Sequence, residues 1–501
     1  MSATRAGAPT SSLGTEPGRG ADARSRGTAE PGRAAAAPPE PQPQPSIPAP
    51  VTEILATLWR GGQSAYVVGG CLRDLLLGRE PADWDLTTDA RPARVQALFA
   101  RSMYENSFGT VVVHHDGLPY EITAFRRDST YTDFRHPDAV EFGDSIEVDL
   151  ARRDFTVNAM AWGSKPGEEP QFVDPHGGRA DLALRLLRAV GKPDTRFRED
   201  ALRMVRAVRL AATLDFDVET GTLAAIGRNA DLASHLSGER ICAELLKLLA
   251  APRPSVGLRL MANSGLLAIV APDLARQRGI GQNKVQGEDL WDHTLRTVDA
   301  AANRQPLRLA ALLHAIGKPD TLADGHFHNH DVVGADLTRR YLDRLHAPRI
   351  LQEQTAHLVR NHMFAYDLRW TDAAVRRFIR KVGPGAMEDL LALRAADNQG
   401  SGQPVDAGRL AELTTRVQAE LATNPVLGRE HLAIDGNDLM IELGLPAGRL
   451  LGQVLEDLTE RVINEPALNE RAILLDMARE GISNRRVIEN QDPVNPQSEA
   501  G

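Results

Sequence analysis

The chain has 501 residues and a formal net charge of −9, so its overall charge gives no sign of a nucleic-acid-binding protein. Any RNA partner must therefore meet a local basic surface. The two cysteines, Cys71 and Cys242, carry neither zinc nor disulfide spacing, which favours a reducing cytoplasm. No apolar stretch reaches the roughly 18 residues of a membrane span, and the N-terminus lacks the apolar core of a secretory signal. We expect a cytoplasmic protein with no membrane partner, and no feature implies a protein partner.

Both ends of the chain are low in large apolar residues. Residues 1–48 are rich in Ala, Pro, Gly and Ser, and the stretch PPEPQPQPSIPAP at their end is the most extreme in composition. Such a segment buries too little apolar surface to offset the entropy lost on ordering, which predicts disorder. A transit peptide is the alternative, and the acidic residues argue against it. Residues 487–501 are predicted to be disordered as well.

Between residues 49 and 175, helical and extended patterns alternate, which predicts a small α/β head with a mixed sheet. Asp116-Gly117, between two β-rich runs, is a hairpin signal. The predicted elements are helices over Val51 to Arg60 and Pro92 to Ala100, and strands over Ala65 to Val68, Thr110 to His115 and Tyr120 to Phe125.

The first strand leads into a pair of glycines and then a pair of aspartates. Gly69 and Gly70, between strand and helix, would let a triphosphate approach backbone N–H groups at the positive end of the helix. Asp83 and Asp85 are two residues apart, and on a strand they would share a face. Their oxygens suit hard divalent cations. A phosphate cradle followed by an acidic metal site is what nucleotidyl transfer requires.

The stretch AYVVGGCLRDLLLGREPADWDLTT resembles the signature of the nucleotidyltransferase superfamily that includes DNA polymerase beta. Its form is similar to the class II tRNA nucleotidyltransferases and their relatives, the bacterial poly(A) polymerases. The resemblance implies that Asp83 and Asp85 hold two Mg²⁺ ions and that Gly69, Gly70 and Arg73 bind nucleotide. Glu121, in PYEITAF, is the candidate third catalytic acid; alternatively it is an exposed strand carboxylate.

Two further motifs follow the same family. In DLARRDFTVNA the positions that match are Arg153, Asp154 and Asn158, which support the sugar and phosphates in the resembling enzymes. The alternative interpretation of Asp154 is a helix cap or a partner in a surface ion pair. In LSGERICAELLKLL, Glu239 and Arg240 match residues that are structural by the same resemblance.

The segment RFREDALRMVRA carries Asp200 and Arg203, which a helix from Asp200 to Leu214 would place on one face. The family uses this pair to read the base. A carboxylate accepts from the exocyclic amino group of cytosine or adenine, and a guanidinium donates to the ring nitrogen. Uracil and guanine would set a carbonyl against the carboxylate. Glu199 is expected to orient Arg203, and Arg206 to contact nucleotide. The alternative is an ordinary intrahelical ion pair.

Helical periodicity dominates beyond residue 180 and includes predicted helices over Leu182 to Leu187 and Arg240 to Ala250. We divide this part into a neck (176–270), an HD-like domain (271–400) and a tRNA-binding tail (401–486). The predicted fold class is α+β, with a polymerase-beta-like head followed by a largely α-helical neck, body and tail.

The HD-like domain is so named because five residues follow the order of an HD-domain metallohydrolase. Ala315 stands where that family has an aspartate that bridges the metals, so we expect weakened metal binding and no hydrolysis. The alternative is isolated histidines in a helical scaffold. The five residues are His293, His314, His330, His362 and Asp397.

The predicted function is addition of C, C and A to tRNA 3′ ends from CTP and ATP, with Mg²⁺ and without a nucleic-acid template. Partial CC- or A-adding enzymes and poly(A) polymerases remain alternatives. In the resembling family, enzymes restricted to CC addition lack an intact flexible loop between the first two motifs. Here that loop is complete, with Arg126, Asp133 and Arg135 in place, and the resemblance therefore favours full CCA addition. The chain also lacks the basic tail typical of poly(A) polymerases. Two alternatives come from other classes of protein. One is a metal-dependent phosphohydrolase with its active site in the HD-like domain, and the other is a non-catalytic RNA-binding scaffold.

Overall fold

The computed structural model describes residues 45–104, 109–128, 140–143, 145–282 and 284–491. Most of both segments predicted to be disordered, 1–44 and 492–501, lies outside these ranges. Asp133 and Arg135 of the predicted flexible loop also lie outside them.

A seven-stranded mixed sheet forms the head, as predicted. Its strand order is β3-β4-β5-β2-β1-β8-β9. Only the β2–β5 pair is parallel among the pairs of this sheet that the structure describes. A separate antiparallel pair, β6 and β7, lies beside it. The strands are β1 (Ala65–Val68), β2 (Asp85–Thr88), β3 (Ser102–Tyr104), β4 (Thr110–His115), β5 (Leu118–Ala124), β6 (Arg126–Asp128), β7 (Val140–Phe142), β8 (Ala161–Ser164) and β9 (Gln171–Val173).

Local sequence explains most of the head. All four residues of β1 are buried, which is why this strand is a continuous apolar run. Asp116 and Gly117 both have positive φ, 49° and 80°, as a tight hairpin turn requires. The head helices are α1 (Ala49–Arg60), α2 (Gly70–Leu76), α3 (Pro92–Leu98) and α4 (Ile146–Ala151).

Helices make up nearly all of the remainder, which confirms the predicted α+β class. They are α5 (Gly178–Ala183), α6 (Pro193–Glu199), α7 (Leu202–Leu214), α8 (Thr220–Asn229), α9 (Gly238–Leu249), α10 (Pro254–Asn263), α11 (Leu266–Val270), α12 (Pro272–Ala275), α13 (Leu290–Ala300), α14 (Gln305–Leu313), α15 (Lys318–Thr321), α16 (His330–Arg344), α17 (Arg349–Asn361), α18 (Asp372–Val382), α19 (Met387–Gly400), α20 (Leu410–Ala422), α21 (Gly436–Leu443), α22 (Arg449–Asn464) and α23 (Arg471–Gln491).

The predicted helix over Leu182 to Leu187 is wrong. α5 ends at Ala183, and Arg185 has a φ of 54°, which interrupts any helix there. Leu186–Leu187 instead forms β10, a parallel pair with β11 (Asp217–Val218). A second short pair is made by β12 (Leu322–Ala323) and β13 (His326–Phe327).

Separate apolar cores support the head, the helical body and the tail. The head core joins α1, α3 and the sheet. One continuous core runs from Phe155 to Leu427 and therefore unites the neck with most of the helical body. A further cluster, from Val426 to Ile482, stabilises the tail helices. Among the described residues, no helix is both long and apolar enough to span a bilayer.

Candidate active site

A cleft of about 360 Å³ lies where the head sheet meets the neck. This volume falls in the usual range for sites that bind a small molecule. Six arginines and three aspartates line it, so a strongly basic surface exists within a chain of net negative charge. Its lining residues are Val68, Asp85, Leu86, Thr110, Thr123, Arg126, Arg152, Arg153, Asp154, Asp200, Leu202, Arg203, Arg206 and Arg240.

The diglycine stands at the edge of this cleft. Gly69 has a φ of 82°, a conformation that residues with a side chain rarely adopt. A Cβ at Gly69 would lie 2.9 Å from Arg153 Nη1 and 3.5 Å from an Asp85 carboxylate oxygen. Gly70 is the first residue of α2. Glycine is therefore needed at position 69 both for backbone conformation and for the close approach of Arg153.

The predicted carboxylates gather around Asp85. This residue opens β2, is half-buried, and pairs in parallel register with Glu121 on β5. Burial raises the pKa of Asp85; Arg153 opposes that shift and Asp83 adds to it. Asp83 and Glu121 are exposed and lie outside the cleft lining.

The argument that Asp83 and Asp85 share a strand face is wrong. β2 begins at Asp85, and Asp83 lies in the bend before it, so strand alternation does not orient its side chain. The effect of Asp83 on the pKa of Asp85 still indicates that the two carboxylates are close.

A chain of hydrogen bonds connects α2 to the neck. Arg73 Nη1 donates to Asn158 Oδ1 at 2.6 Å, and Asn158 Nδ2 donates to Asp154 Oδ1 at 3.0 Å. Arg206, on α7, donates through Nε to Asp154 Oδ2 at 2.9 Å. Burial raises the pKa of Asp154, but Arg206 and Asn158 outweigh it, and the net pKa lies well below the usual range. Asp154 is therefore ionised and holds Arg206 within the cleft.

Asp200 and Arg203 both line the cleft, but not in the way that the sequence predicted. α6 ends at Glu199 and α7 begins only at Leu202, so Asp200 is not on the helix that carries Arg203. Its backbone is extended, with φ −144° and ψ 105°, and its Oδ1 accepts from Leu202 N at 3.0 Å. The shared-face argument is therefore wrong, because the helix is interrupted between the two residues, although both line the same cleft.

The surroundings of Arg203 fix its orientation. Nη1 donates to Glu199 Oε2 at 2.7 Å, as expected, and Nη2 donates to the Arg152 carbonyl at 2.9 Å. Both Glu199 and Arg203 are mostly buried. The guanidinium thus faces the cleft with part of its donor set already held by the protein.

Sequence reasoning missed several lining residues. Arg240, taken as structural, donates to Asp200 Oδ2 at 2.8 Å and lines the cleft. Thr110 and Thr123 face each other across the hairpin, with their hydroxyl oxygens 3.2 Å apart. Threonine is common in strands, so no local signal marked that pair. Arg152, which precedes Arg153 in DLARRDFTVNA, also lines the cleft.

The five residues of the HD-like pattern form a second cluster, which is buried. His293 Nε2 lies 2.9 Å from His314 Nε2, and His330 Nε2 lies 3.3 Å from His362 Nε2. An oxygen of Asp397 is 3.3 Å from His293 Nε2 and 3.7 Å from His314 Nε2. These three ligand atoms are close enough for one metal ion to contact them all. Weakened metal binding and the absence of hydrolysis at this cluster stay predictions.

Burial controls the protonation of this cluster. It lowers the pKa of His314 well below the ordinary value and that of His362 to about 4. It also lowers the pKa of Lys318, a buried neighbour, to about 7. The imidazoles are therefore neutral near pH 7.

Models of known protein families match three stretches of the chain. The poly(A) polymerase head domain matches residues 65–188, which carry most of the sheet and most of the cleft. The family described as "Probable RNA and SrmB-binding site of polymerase A" matches residues 215–278. The family described as "tRNA nucleotidyltransferase domain 2 putative" matches residues 332–478.

Curated relatives cover nearly the same span. The CCA-adding enzyme of Geobacillus thermodenitrificans is 35% identical over 426 residues, which are 83% of this chain and 93% of that protein. The CCA-adding enzyme of Limosilactobacillus reuteri is 32% identical over 442 residues, 86% of this chain and 96% of that protein.

A solved structure also matches this chain over most of its length. A crystal structure of the Bacillus stearothermophilus CCA-adding enzyme in complex with CTP is 31% identical, with a TM-score of 0.68, and covers 89% of this chain and all of that one. On this similarity in sequence and fold, the chain belongs to the CCA-adding enzyme family, a family of nucleotidyltransferases.

Proposed function

We propose that this protein is a CCA tRNA nucleotidyltransferase, which adds C, C and A to the 3′ end of tRNA from CTP and ATP. The 3′-hydroxyl of the RNA attacks the α-phosphate, a new P–O bond forms, and pyrophosphate leaves. No nucleic-acid template takes part, because protein side chains read the base. With tRNA and nucleoside triphosphates as substrates, and two buried free thiols, we propose a cytoplasmic location.

One observation carries the proposal: the base-reading pair and the acidic strand line a single cleft. Asp200 and Arg203 lie on the neck side, and Asp85 on the head side. Cytosine and adenine each offer an amino donor beside a ring-nitrogen acceptor, which suits a carboxylate next to a guanidinium. Uracil and guanine would leave a buried carbonyl against the Asp200 carboxylate, which is a strong basis for rejection.

The arginines of the cleft suit the rest of the nucleotide. Arg153 lies against Gly69, and Arg206 is held by Asp154, so two cations face the space next to the diglycine. Phosphate oxygens accept readily from guanidinium groups. We assign Gly69, Gly70, Arg73, Arg153, Asp154, Asn158 and Arg206 to binding the triphosphate and sugar, directly or by orienting a neighbour.

Carboxylate oxygens are the ligands that a hard divalent cation prefers, and we propose Mg²⁺. We propose Asp83, Asp85 and Glu121 as its ligands: Asp85 and Glu121 are adjacent across two strands, and Asp83 acts electrostatically on Asp85. The oxygens of these three described residues do not all lie within 4.8 Å of one another, so binding the ion would require side-chain movement. Burial and a nearby carboxylate both disfavour the lone negative charge on Asp85, which a cation would relieve. When bound, such ions would offset the charge of the triphosphate and of the attacking and leaving oxygens.

The test is incorporation of labelled nucleotides into tRNA that ends at the discriminator base, with Mg²⁺ and each nucleoside triphosphate alone or mixed. We expect two C residues from CTP alone and a completed CCA end from CTP with ATP. Products that stop at CC, or A added only to tRNA that already ends in CC, would identify a partial enzyme. A long A tract would identify a poly(A) polymerase.

A further inference from the structure

Helix α9 supplies partners to two residues of the cleft from one of its faces. Arg240 and Glu244 are four residues apart, and so they lie on the same side of this helix. The first meets Asp200, and the second meets Arg206. Neither contact is local in sequence, because Asp200 lies in the break between α6 and α7, and Arg206 lies on α7.

The Arg240 contact acts on the base-reading carboxylate. Arg240 Nη2 donates to Asp200 Oδ2 at 2.8 Å, while Leu202 N donates to Asp200 Oδ1 at 3.0 Å. Both carboxylate oxygens are therefore engaged before any ligand arrives, which fixes the plane of the carboxylate. Each oxygen has a second lone pair, so an amino group of a base can still be accepted.

The Glu244 contact acts on a different residue of the cleft, Arg206. Glu244 is buried, forms an ion pair with Arg209 Nε at 2.6 Å, and has a carboxylate oxygen 3.9 Å from Arg206 Nη1. Arg206 is held on its other side by Asp154 at 2.7 Å. Arg206 thus lies between a head carboxylate and a neck carboxylate. Glu244 does not line the cleft.

We propose that α9 carries two positioning residues whose effects can be separated. Arg240 acts through Asp200 and determines which base is accepted. Glu244 acts through Arg206 and determines how tightly the sugar and triphosphate, which are common to all the nucleotides, are bound. The inference rests on the proposed function. A merely structural role for α9 would not separate the two residues. Here Arg240 is expected to affect the ratio of kcat/KM for CTP over UTP, and Glu244 is expected to affect KM for the nucleotides.

The test for Arg240 is Arg240→Met, assayed for C addition with CTP or UTP. Without the guanidinium, the Asp200 carboxylate can rotate toward Arg203, so the two base readers pair with each other. We expect the ratio of kcat/KM for CTP over UTP to fall about tenfold. Arg240→Lys keeps the charge and should retain part of that ratio, although it lacks the planar fork.

The test for Glu244 is Glu244→Gln, assayed with CTP on tRNA lacking CCA and with ATP on tRNA ending in CC. We expect KM for both nucleotides to rise about fivefold, with the CTP over UTP ratio unchanged. If loss of one charge of the buried pair prevents folding, the double variant Glu244→Gln with Arg209→Gln removes both charges and makes the same prediction for KM.

The matched control is Lys247→Ala, which removes an exposed charge from the same helix and should leave the CTP over UTP ratio and both KM values unchanged. An unaltered ratio in folded Arg240→Met, or an altered ratio in Glu244→Gln, would overturn the inference. Because wild-type protein is assayed alongside, inactivity on tRNA would instead refute the proposed function itself.

Discussion

The cleft and the histidine cluster are both dense groups of polar side chains, but they differ in access and in completeness. The cleft has about 360 Å³ of space, and its charged groups are partly exposed. In the cluster, His293 and His314 are each only 1% exposed, and the imidazoles contact one another. The residue types and motifs in the sequence predicted both groups of side chains. Open volume and partly exposed charged groups distinguish the cleft, which we propose as the nucleotide site.

The largest effect is expected at the acidic strand. Asp85→Ala should lower CMP incorporation at least about a thousandfold, because a ligand for a hard cation is lost. Asp83→Ala should act in the same direction. The measurement is labelled CMP transfer, with tRNA binding followed in parallel by gel shift.

Asp116→Asn is a suitable control for that loss, because Asp116 is an exposed aspartate in the hairpin turn and Asn tolerates its positive φ. Normal transfer by the control with intact tRNA binding in all variants is expected. Near-normal turnover in Asp83→Ala would remove that residue from the metal site.

A smaller effect is expected in base selection. Asp200→Ala removes the carboxylate that opposes the carbonyls of uracil and guanine. The preference for CTP over UTP should fall by about ten- to a hundredfold. Competition between labelled CTP and UTP measures it. A reduced rate with unchanged preference would make the Asp200 and Arg203 pair purely structural.

The sequence predicted the parts of this site that depend on local pattern. The buried run Ala65–Val68, the diglycine and the Asp116-Gly117 turn each have a local physical cause, and all three hold in the structure. The segment RFREDALRMV has no residue that breaks a helix, so no local pattern predicts the extended backbone at Asp200. That break is accompanied by the contacts of Asp200 with Leu202 and Arg240.

Long-range contacts explain the other features that the sequence did not predict. Leu186–Leu187 has a helical pattern, yet it pairs with β11, some thirty residues further along the chain. The approach of Arg240 to Asp200 depends on how α9 packs against α7, which no local pattern encodes. The burial that lowers the histidine pKa values likewise requires five separate segments to converge.

The cluster should make the protein sensitive to acid. Burial lowers the pKa of His362 from 6.5 to about 4, so between these pH values the unfolded chain binds a proton that the folded chain does not. Stability should therefore fall as the pH drops from about 6.5 to about 4, by a total on the order of 3 kcal/mol from this group. Urea unfolding of EDTA-treated protein across this range measures it.

Substitution of His362 tests whether this residue contributes to the dependence of stability on pH. His362→Gln should make that dependence less steep between pH 4 and 6.5, whereas His326→Gln, at an exposed histidine, should leave it unchanged. The other buried histidines, whose pKa values are also lowered, account for the remainder. An equal slope in the wild type and in His362→Gln would show that His362 is not the group responsible.

The smallest expected signal is hydrolysis by the cluster. Ala315 is fully buried beside His314 and supplies no ligand, so a bound ion would lack the bridging carboxylate that helps to activate water. Wild-type protein should release no product from 2′,3′-cyclic phosphates with Ni²⁺, Mn²⁺ or Mg²⁺. Ala315→Asp should raise the amount of metal retained after dialysis. Hydrolysis that disappears in His314→Ala would make the enzyme bifunctional.

The most direct test of the central claim is a crystal structure of this protein with CTP and Mg²⁺. We predict that cytosine binds in the cleft, with its amino group donating to Asp200 and its ring nitrogen accepting from Arg203, and that the triphosphate lies near Gly69 and Asp85. A nucleotide bound in the cleft with its base away from Asp200 and Arg203, or bound elsewhere on the protein, would contradict the account.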